Sequence, residues 1–256
     1  MKHIKLFFST IKKNLIAFLA FILIWQILSF FFPPYIVPSP IALLADLDNL
    51  ITASLARHLE ITLFRIITGF ALAFVIGTLI GFVSSLLKIR ESMQTILILF
   101  QVLPGTVLGI IFLLIFGQGS AVPIAMIVTL TTPLIAINTG NSLLNVNQEL
   151  KNVVVSYGGK IVDVIRYVHL PALVPAMRSN LTVGLGFALK IVILGEFIAA
   201  EAGLGHLLNI SKIYFNMRSV FFYLLTIVII MLIFQILINL IFVIFFEKYL
   251  FTHGEK

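Results

Sequence analysis

The 256-residue chain is 61% hydrophobic, 11% charged and has a mean hydropathy of +1.16, where a soluble domain is about half apolar and a quarter charged; a soluble globular fold is excluded. The net charge of +7 reads as basic loops held on the cytoplasmic side of a membrane rather than as a nucleic-acid surface. Cysteine is absent, which removes thiolate chemistry, Cys-ligated zinc and disulfide staples.

Long uncharged runs predict helical spans, because a helix needs about 20 apolar residues to cross the hydrocarbon core, and a barrel would show alternating segments of about 10. The first run, Leu15 to Phe32, follows Lys2, Lys5, Lys12 and Lys13. No small-x-small cleavage site follows it, so it reads as an uncleaved first helix entering from the cytoplasm, residues 1–32. The sequence "FFPPYIVPSP" then puts four prolines in ten residues and predicts a structured external linker over 33–58.

Arg65 and Lys88 bracket the second span, 66–87, where Gly69, Gly77 and Gly81 offer small surfaces for close helix contact. From Ser92 to Gln148 no residue of 57 is charged. That length suits two crossings, at about 95–116 and 121–141, broken at "GQGS". A fifth span is expected at about 180–199 and a sixth at about 220–246, followed by a cytoplasmic tail over 248–256. With both termini inside, the cytoplasmic segments hold 12 Lys and Arg and the external ones three, the asymmetry that orientation by basic loops requires. No internal repeat accompanies this pattern, which weighs against an inverted-repeat secondary transporter.

The loop between spans four and five carries "YGGKIVDVIRYVHLPALVP", Tyr157 to Pro175. Ile161, Val164, Ile165 and Val168 recur at helical spacing, and Lys160, Asp163, Arg166 and Tyr167 occupy the other sides. Gly158 and Gly159 permit a sharp turn before this short helix, and Pro171 is expected to stop it. With Gln148 to Tyr157 as a second helical piece, the loop reads as helix, glycine turn, helix, proline. Two uses fit: an amphipathic helix lying on lipid headgroups, or an element that docks into a soluble partner. The fixed hinge and terminator favour docking.

On these residues the chain resembles the membrane subunits of ABC transporters. Gly158, nine residues, Val168, one residue, then Leu170-Pro171 matches the cytoplasmic signature E-A-A-x-x-x-G-x(9)-I-x-L-P, with Asn152-Val153-Val154 standing where the family writes E-A-A. "VPSPIALLADL", "HLEITLFRIITGFALAFVIGTLIGF" and "LGEFIAAEAGLGHLL" resemble the branch that imports nitrate, sulfonates, taurine, bicarbonate or thiamine-precursor pyrimidines.

The resemblance implies an all-α integral membrane fold of about six transmembrane helices, its permease core at 59–247, with a cytoplasmic helix-turn-helix coupling loop at about 145–175. It implies a permease subunit in a bacterial cytoplasmic membrane, two copies of which line a path for a small anionic or heterocyclic solute. The implied partners are ATP-binding cassette ATPase subunits, an extracytoplasmic solute-binding protein and the lipid bilayer. Carried onto this chain, the ATPase-docking loop is Asn152, Gly158, Gly159, Lys160, Asp163, Arg166, Leu170 and Pro171.

No cofactor, metal or catalytic residue is expected in the chain itself. The phosphate-binding pattern G-x-x-x-x-G-K-[ST] is missing, Gly159-Lys160 being followed by Ile161. The polar or helix-distorting positions Gln101, Pro104, Asn138 and Asn141 are candidate path residues. So are Lys190 and Glu196, since a charge at mid-bilayer costs roughly 2.5–3.5 kcal/mol. Six residues apart, these two lie about 240° round a helix and do not face each other. Glu196 is expected near the outer interface, and Lys190 as the candidate attractor of an anion. The alternatives from other classes are a stand-alone secondary transporter or channel, with coupled acidic residues inside spans, and a membrane enzyme, with His, Asp or Glu converging at one face.

Overall fold

The computed structural model describes residues 2–51, 53–144, 146 and 148–245, and the side chains of these except at 2–11, 13, 148 and 245. The expected tail, 248–256, lies outside the described residues. Every described element is helical. In order they are α1 (Lys2–Ser29), α2 (Pro40–Ala45), α3 (Leu47–Leu50), α4 (Leu55–Leu86), α5 (Arg90–Val102), α6 (Gly105–Phe116), α7 (Ala121–Leu144), α8 (Gln148–Ser156) and α9 (Ile161–Val164). A π-helical turn, Ile165–His169, leads into α10 (Leu170–Ala199), followed by α11 (Leu204–Ile213) and α12 (Met217–Phe245).

Among the described residues, four helical runs are long and apolar enough to cross a membrane: α4, α7, the continuous stretch Ile161–Ala199, and α12. The third expected span is not one straight helix. α5 and α6 meet at an angle of 83°, because Leu103 and Pro104 are extended (ψ 124° and 129°) and Pro104 has no N–H with which to carry a helix through the joint. A sixth crossing requires this bent pair to count as one span and the shorter apolar stretch Asn14–Ser29 of α1 to serve as another.

The Pro-rich linker is ordered, as expected of a structured segment. Ser39 accepts a hydrogen bond from Ala42 N–H at 3.1 Å and caps α2, with Pro40 in the first turn where a missing N–H costs nothing. The Trp25 indole donates to the Pro38 carbonyl at 2.9 Å and fastens the linker to α1. Helix α4 begins at Leu55, inside the segment expected to be linker.

The core is the pairing of α4 with α7, crossed by α10. Gly69, Gly77 and Gly81 form the small stripe the sequence predicts. A Cβ at Gly69 would stand 2.9 Å from Ile127, one at Gly77 2.8 Å from the Thr132 carbonyl, and one at Gly81 2.8 Å from the Thr139 Cβ. The backbones therefore approach more closely than any larger residue permits, which is how apolar helices gain packing energy where lipid supplies no hydrophobic drive. Ile66, Phe70, Ala73, Met126, Ile127 and Ile135 fill the seam.

Candidate functional site

The loop after α7 is built as the glycines dictate. At the end of α8, Gly159 N–H donates to the Val154 carbonyl and Gly158 N–H to the Val155 carbonyl, both at 2.9 Å, the paired bonds of a Schellman cap. Gly158 holds φ +81° with open space around it, so the left-handed backbone rather than crowding demands glycine there. Gly159 is restricted by space: a Cβ would lie 2.6 Å from Val154 Cγ1. The Lys160 backbone N–H then donates to Asp163 Oδ2 at 2.8 Å and starts α9, so Asp163 serves the helix terminus.

Pro171 does not stop the helix. The chain runs helically from Ile161 to Ala199, and the π turn at Ile165–His169 is what accommodates the proline. Leu170 N–H reaches back five residues to the Ile165 carbonyl, and the widened turn adapts the ladder just before a residue that cannot donate.

Of the expected apolar stripe, Val164 and Val168 are buried against Leu143, Val146 and Leu173. Ile161, by contrast, is 74% exposed, as are Val162 at 64% and Leu170 at 51%. Asn152, Lys160 and Arg166 are exposed beside them, with the Arg166 guanidinium 5.7 Å from the Tyr167 ring centre. The loop therefore presents a mixed apolar and basic surface, anchored from behind by two valines.

Gln101, Asn138 and Asn141, three of the six expected path residues, come together. They line a cavity of about 290 Å³ with Ser179, Asn180 and Gly184 between α5, α7 and α10. Asn138 Nδ2 donates to Asn180 Oδ1 at 2.6 Å, and Asn180 Nδ2 donates to Thr139 Oγ1 at 3.0 Å. Asn141 Oδ1 accepts from Arg90 at 2.8 Å. Pro104 instead forms the α5–α6 joint, and Lys190 is exposed on α10 outside the cavity. Lys190 stands two turns beyond the cavity-lining Val183 and within about 20° of it round the axis.

Glu196 is in neither place. It is 1% exposed at the opposite end of α10 from the loop, 2.8 Å from Arg65 Nη1. Its carboxylate also accepts from Thr62 Oγ1 at 2.9 Å and from Gly205 N–H at 2.9 Å. Arg65 donates further to Ser120 Oγ and the Ala202 carbonyl, and Thr62 Oγ1 accepts from Leu204 N–H. This network fastens α11 and the turn before it to α4 and α10. His58 Nδ1 extends it by accepting from Gly203 N–H at 2.9 Å.

Sequence reasoning missed Asn180, Thr62 and the role of Arg65. Asn180 carried a signal, an amide at the start of an apolar run. Arg65 was read only as a span boundary, and its partner lies 131 residues away.

A polar cavity between crossing helices, reached by a helix that begins in an exposed loop, is the arrangement of a membrane transport component. The chain belongs to the family described as binding-protein-dependent transport system inner membrane components, whose model matches residues 73–249; it is a multi-pass ABC-transporter permease. Among curated relatives, the formylaminopyrimidine transport permease protein ThiX of Halalkalibacterium halodurans is 28% identical over 195 residues, 74% of this chain and 76% of that one. The putative aliphatic sulfonates transport permease protein SsuC of Bacillus subtilis is 25% identical over 213 residues, 82% and 77% of the two chains. A chain from inward-facing structures of the MetNI methionine ABC transporter shares the fold, with TM-score 0.64 and 22% identity over 73% of this chain and 94% of that one.

Proposed function

We propose that two copies of this chain line the path of an ATP-driven importer, with each α8–α9 loop seated in a groove of an ATPase subunit. ATP binds to that partner, and the permease holds no cofactor. The orientation is termini and coupling loop in the cytoplasm, of a bacterial inner membrane, with an extracytoplasmic binding protein delivering solute at the Glu196 end. A small anionic or heterocyclic solute is the cargo; the named substrates of ThiX and SsuC support that range, as does the exposed Lys190 on the cavity side of α10.

One observation carries the reading. The helix that starts at the exposed loop, Ile161–Ala199, also supplies Asn180 to the cavity and Glu196 to the far end. It is a lever about 58 Å long at 1.5 Å per residue. Moving the loop moves both, and the π turn and Pro175 are irregular points near the loop at which the lever can flex.

The docking surface is tested by Gly158→Pro and Arg166→Glu, assayed with the co-encoded ATPase. Gly158 sits at φ +81°, which proline cannot adopt. Both variants are expected to insert normally, lose co-purifying ATPase and lose ATP-dependent uptake. Full recovery of a coupled complex with either variant overturns the assignment of the loop.

A further inference from the structure

At the loop end of the bundle, a cavity of about 740 Å³ opens between the α4–α5 turn, the end of α7, and the α8 and α9 helices. It is separate from the Asn180 cavity. Lys88, Arg90 and Lys151 line it, with His169 and a single carboxylate, Glu91. His169 Nδ1 is out of solvent and has no hydrogen-bond partner among the described residues.

The backbone at Lys88 adds an independent observation. The α4 helix ends in a Schellman cap, Ile89 N–H donating to the Ser84 carbonyl at 3.0 Å and Lys88 N–H to the Ser85 carbonyl at 3.3 Å. Lys88 occupies the left-handed position at φ +58°, where the equivalent cap of α8 uses Gly158. A side chain there is disfavoured relative to glycine. Phe215, the other non-glycine in this region among the described residues, has no part in this cavity; Lys88 places an ammonium on its wall.

We propose that this cavity binds a phosphate group, carried either by an anionic lipid headgroup of the adjacent leaflet or by a soluble phosphate compound. Three cations against one carboxylate leave a net positive lining just beyond the end of the apolar helix α4, the setting in which basic pockets between helices hold anionic headgroups. The volume suits a headgroup or a small phosphate metabolite. Arg90 ties the site to the transport cavity, since its Nη1 donates to Asn141 at 2.8 Å. Occupancy braces α8 and α9 against α4; that this tunes coupling rests on the loop assignment above, whereas the binding itself does not.

The test uses the full chain without its partners, so that failure of the ATPase assignment leaves it readable. Nanodiscs of phosphatidylcholine are compared with nanodiscs containing phosphatidylglycerol, and pyrophosphate is titrated into the phosphatidylcholine discs. Bound anion is read by native mass spectrometry and by thermal shift. Binding in the lipid arm assigns the headgroup source, and binding in the pyrophosphate arm the soluble one. Either is expected to weaken about fivefold in Lys88→Gly and again in Lys151→Gln, and to be unchanged in Arg57→Gln, an exposed cation at the other end of α4. Lys88→Gly relaxes the backbone, so a lost response in it is not lost folding. Neither probe binding, or Arg57→Gln weakening binding as much as Lys88→Gly, overturns the proposal.

Discussion

Replacing Arg65 by methionine removes the cation from a carboxylate that is 1% exposed. Glu196 keeps the hydrogen bonds from Thr62 and Gly205 but loses its counter-charge at 2.8 Å. Breaking a buried pair from one side costs about 3–5 kcal/mol, because an uncompensated charge stays buried. Glu196→Leu costs a similar amount by stranding the guanidinium. The double variant contains no buried charge at this site; what remains is the Gly205 N–H, the Thr62 hydroxyl and the Ala202 carbonyl without these partners, about 1–3 kcal/mol apiece, besides the part-buried Ser120 hydroxyl.

Singles of about 4 kcal/mol each against a double of about 6, three orphaned groups at about 2 apiece, give a coupling energy near 2 kcal/mol, inside the range of about 0.5–3 kcal/mol that contacting residues show. The measurement is reversible unfolding of the purified chain in mixed detergent micelles as the denaturing fraction rises, run on all four members of the cycle. Additive changes, with coupling below about 0.5 kcal/mol, would refute the view that these two charges stabilise the α4–α10–α11 junction as a unit.

The remaining expectations follow from neighbouring geometry. Gly205→Ala puts a methyl 2.7 Å from the Glu196 Cβ and against the Ile193 carbonyl; it should lower thermal stability by an amount comparable to Arg65→Met, and an unchanged melting temperature would show the junction to be loose. Asn180→Leu leaves Asn138 Nδ2 and Thr139 Oγ1 without their partner, a loss of about 1 kcal/mol on the scale of interhelical hydrogen bonds in membranes. Uptake into proteoliposomes of the assembled transporter should fall much further than stability does, and wild-type uptake would remove Asn180 from the path. Arg218→Ala breaks a 3.3 Å pair with Asp46 whose arginine side chain is 57% exposed, so the unfolding midpoint should stay almost unchanged, and a shift as large as that of Arg65→Met would refute this.

Local patterns in the sequence located what local chemistry decides. Gly158 at a left-handed cap, the Gly69, Gly77 and Gly81 stripe, and the apolar face through Val164 and Val168 each follow from residue type and spacing, and the structure builds them where that spacing predicts. The α5–α6 joint was marked by Pro104, but composition gave no angle, because an uncharged run satisfies lipid equally well straight or bent. Glu196 shows the deeper limit. Its position inside an apolar helix flagged it as costly, yet no spacing rule pairs it with an arginine 131 residues earlier.

Pro171 argues the converse point. The rule that proline ends a helix concerns one missing N–H and one ring clash; the π turn just before Pro171, with Leu170 N–H bonded five residues back, widens the ladder and eases the clash, and the helix continues with one hydrogen bond fewer. A terminator at this position would have separated the loop from the spans and left it to act on them only through packing. A continuous helix instead makes the loop, the Asn180 amide and the Glu196 carboxylate parts of one body. The proline expected to delimit the loop therefore marks where the loop joins the helix, the one it moves under the proposed function.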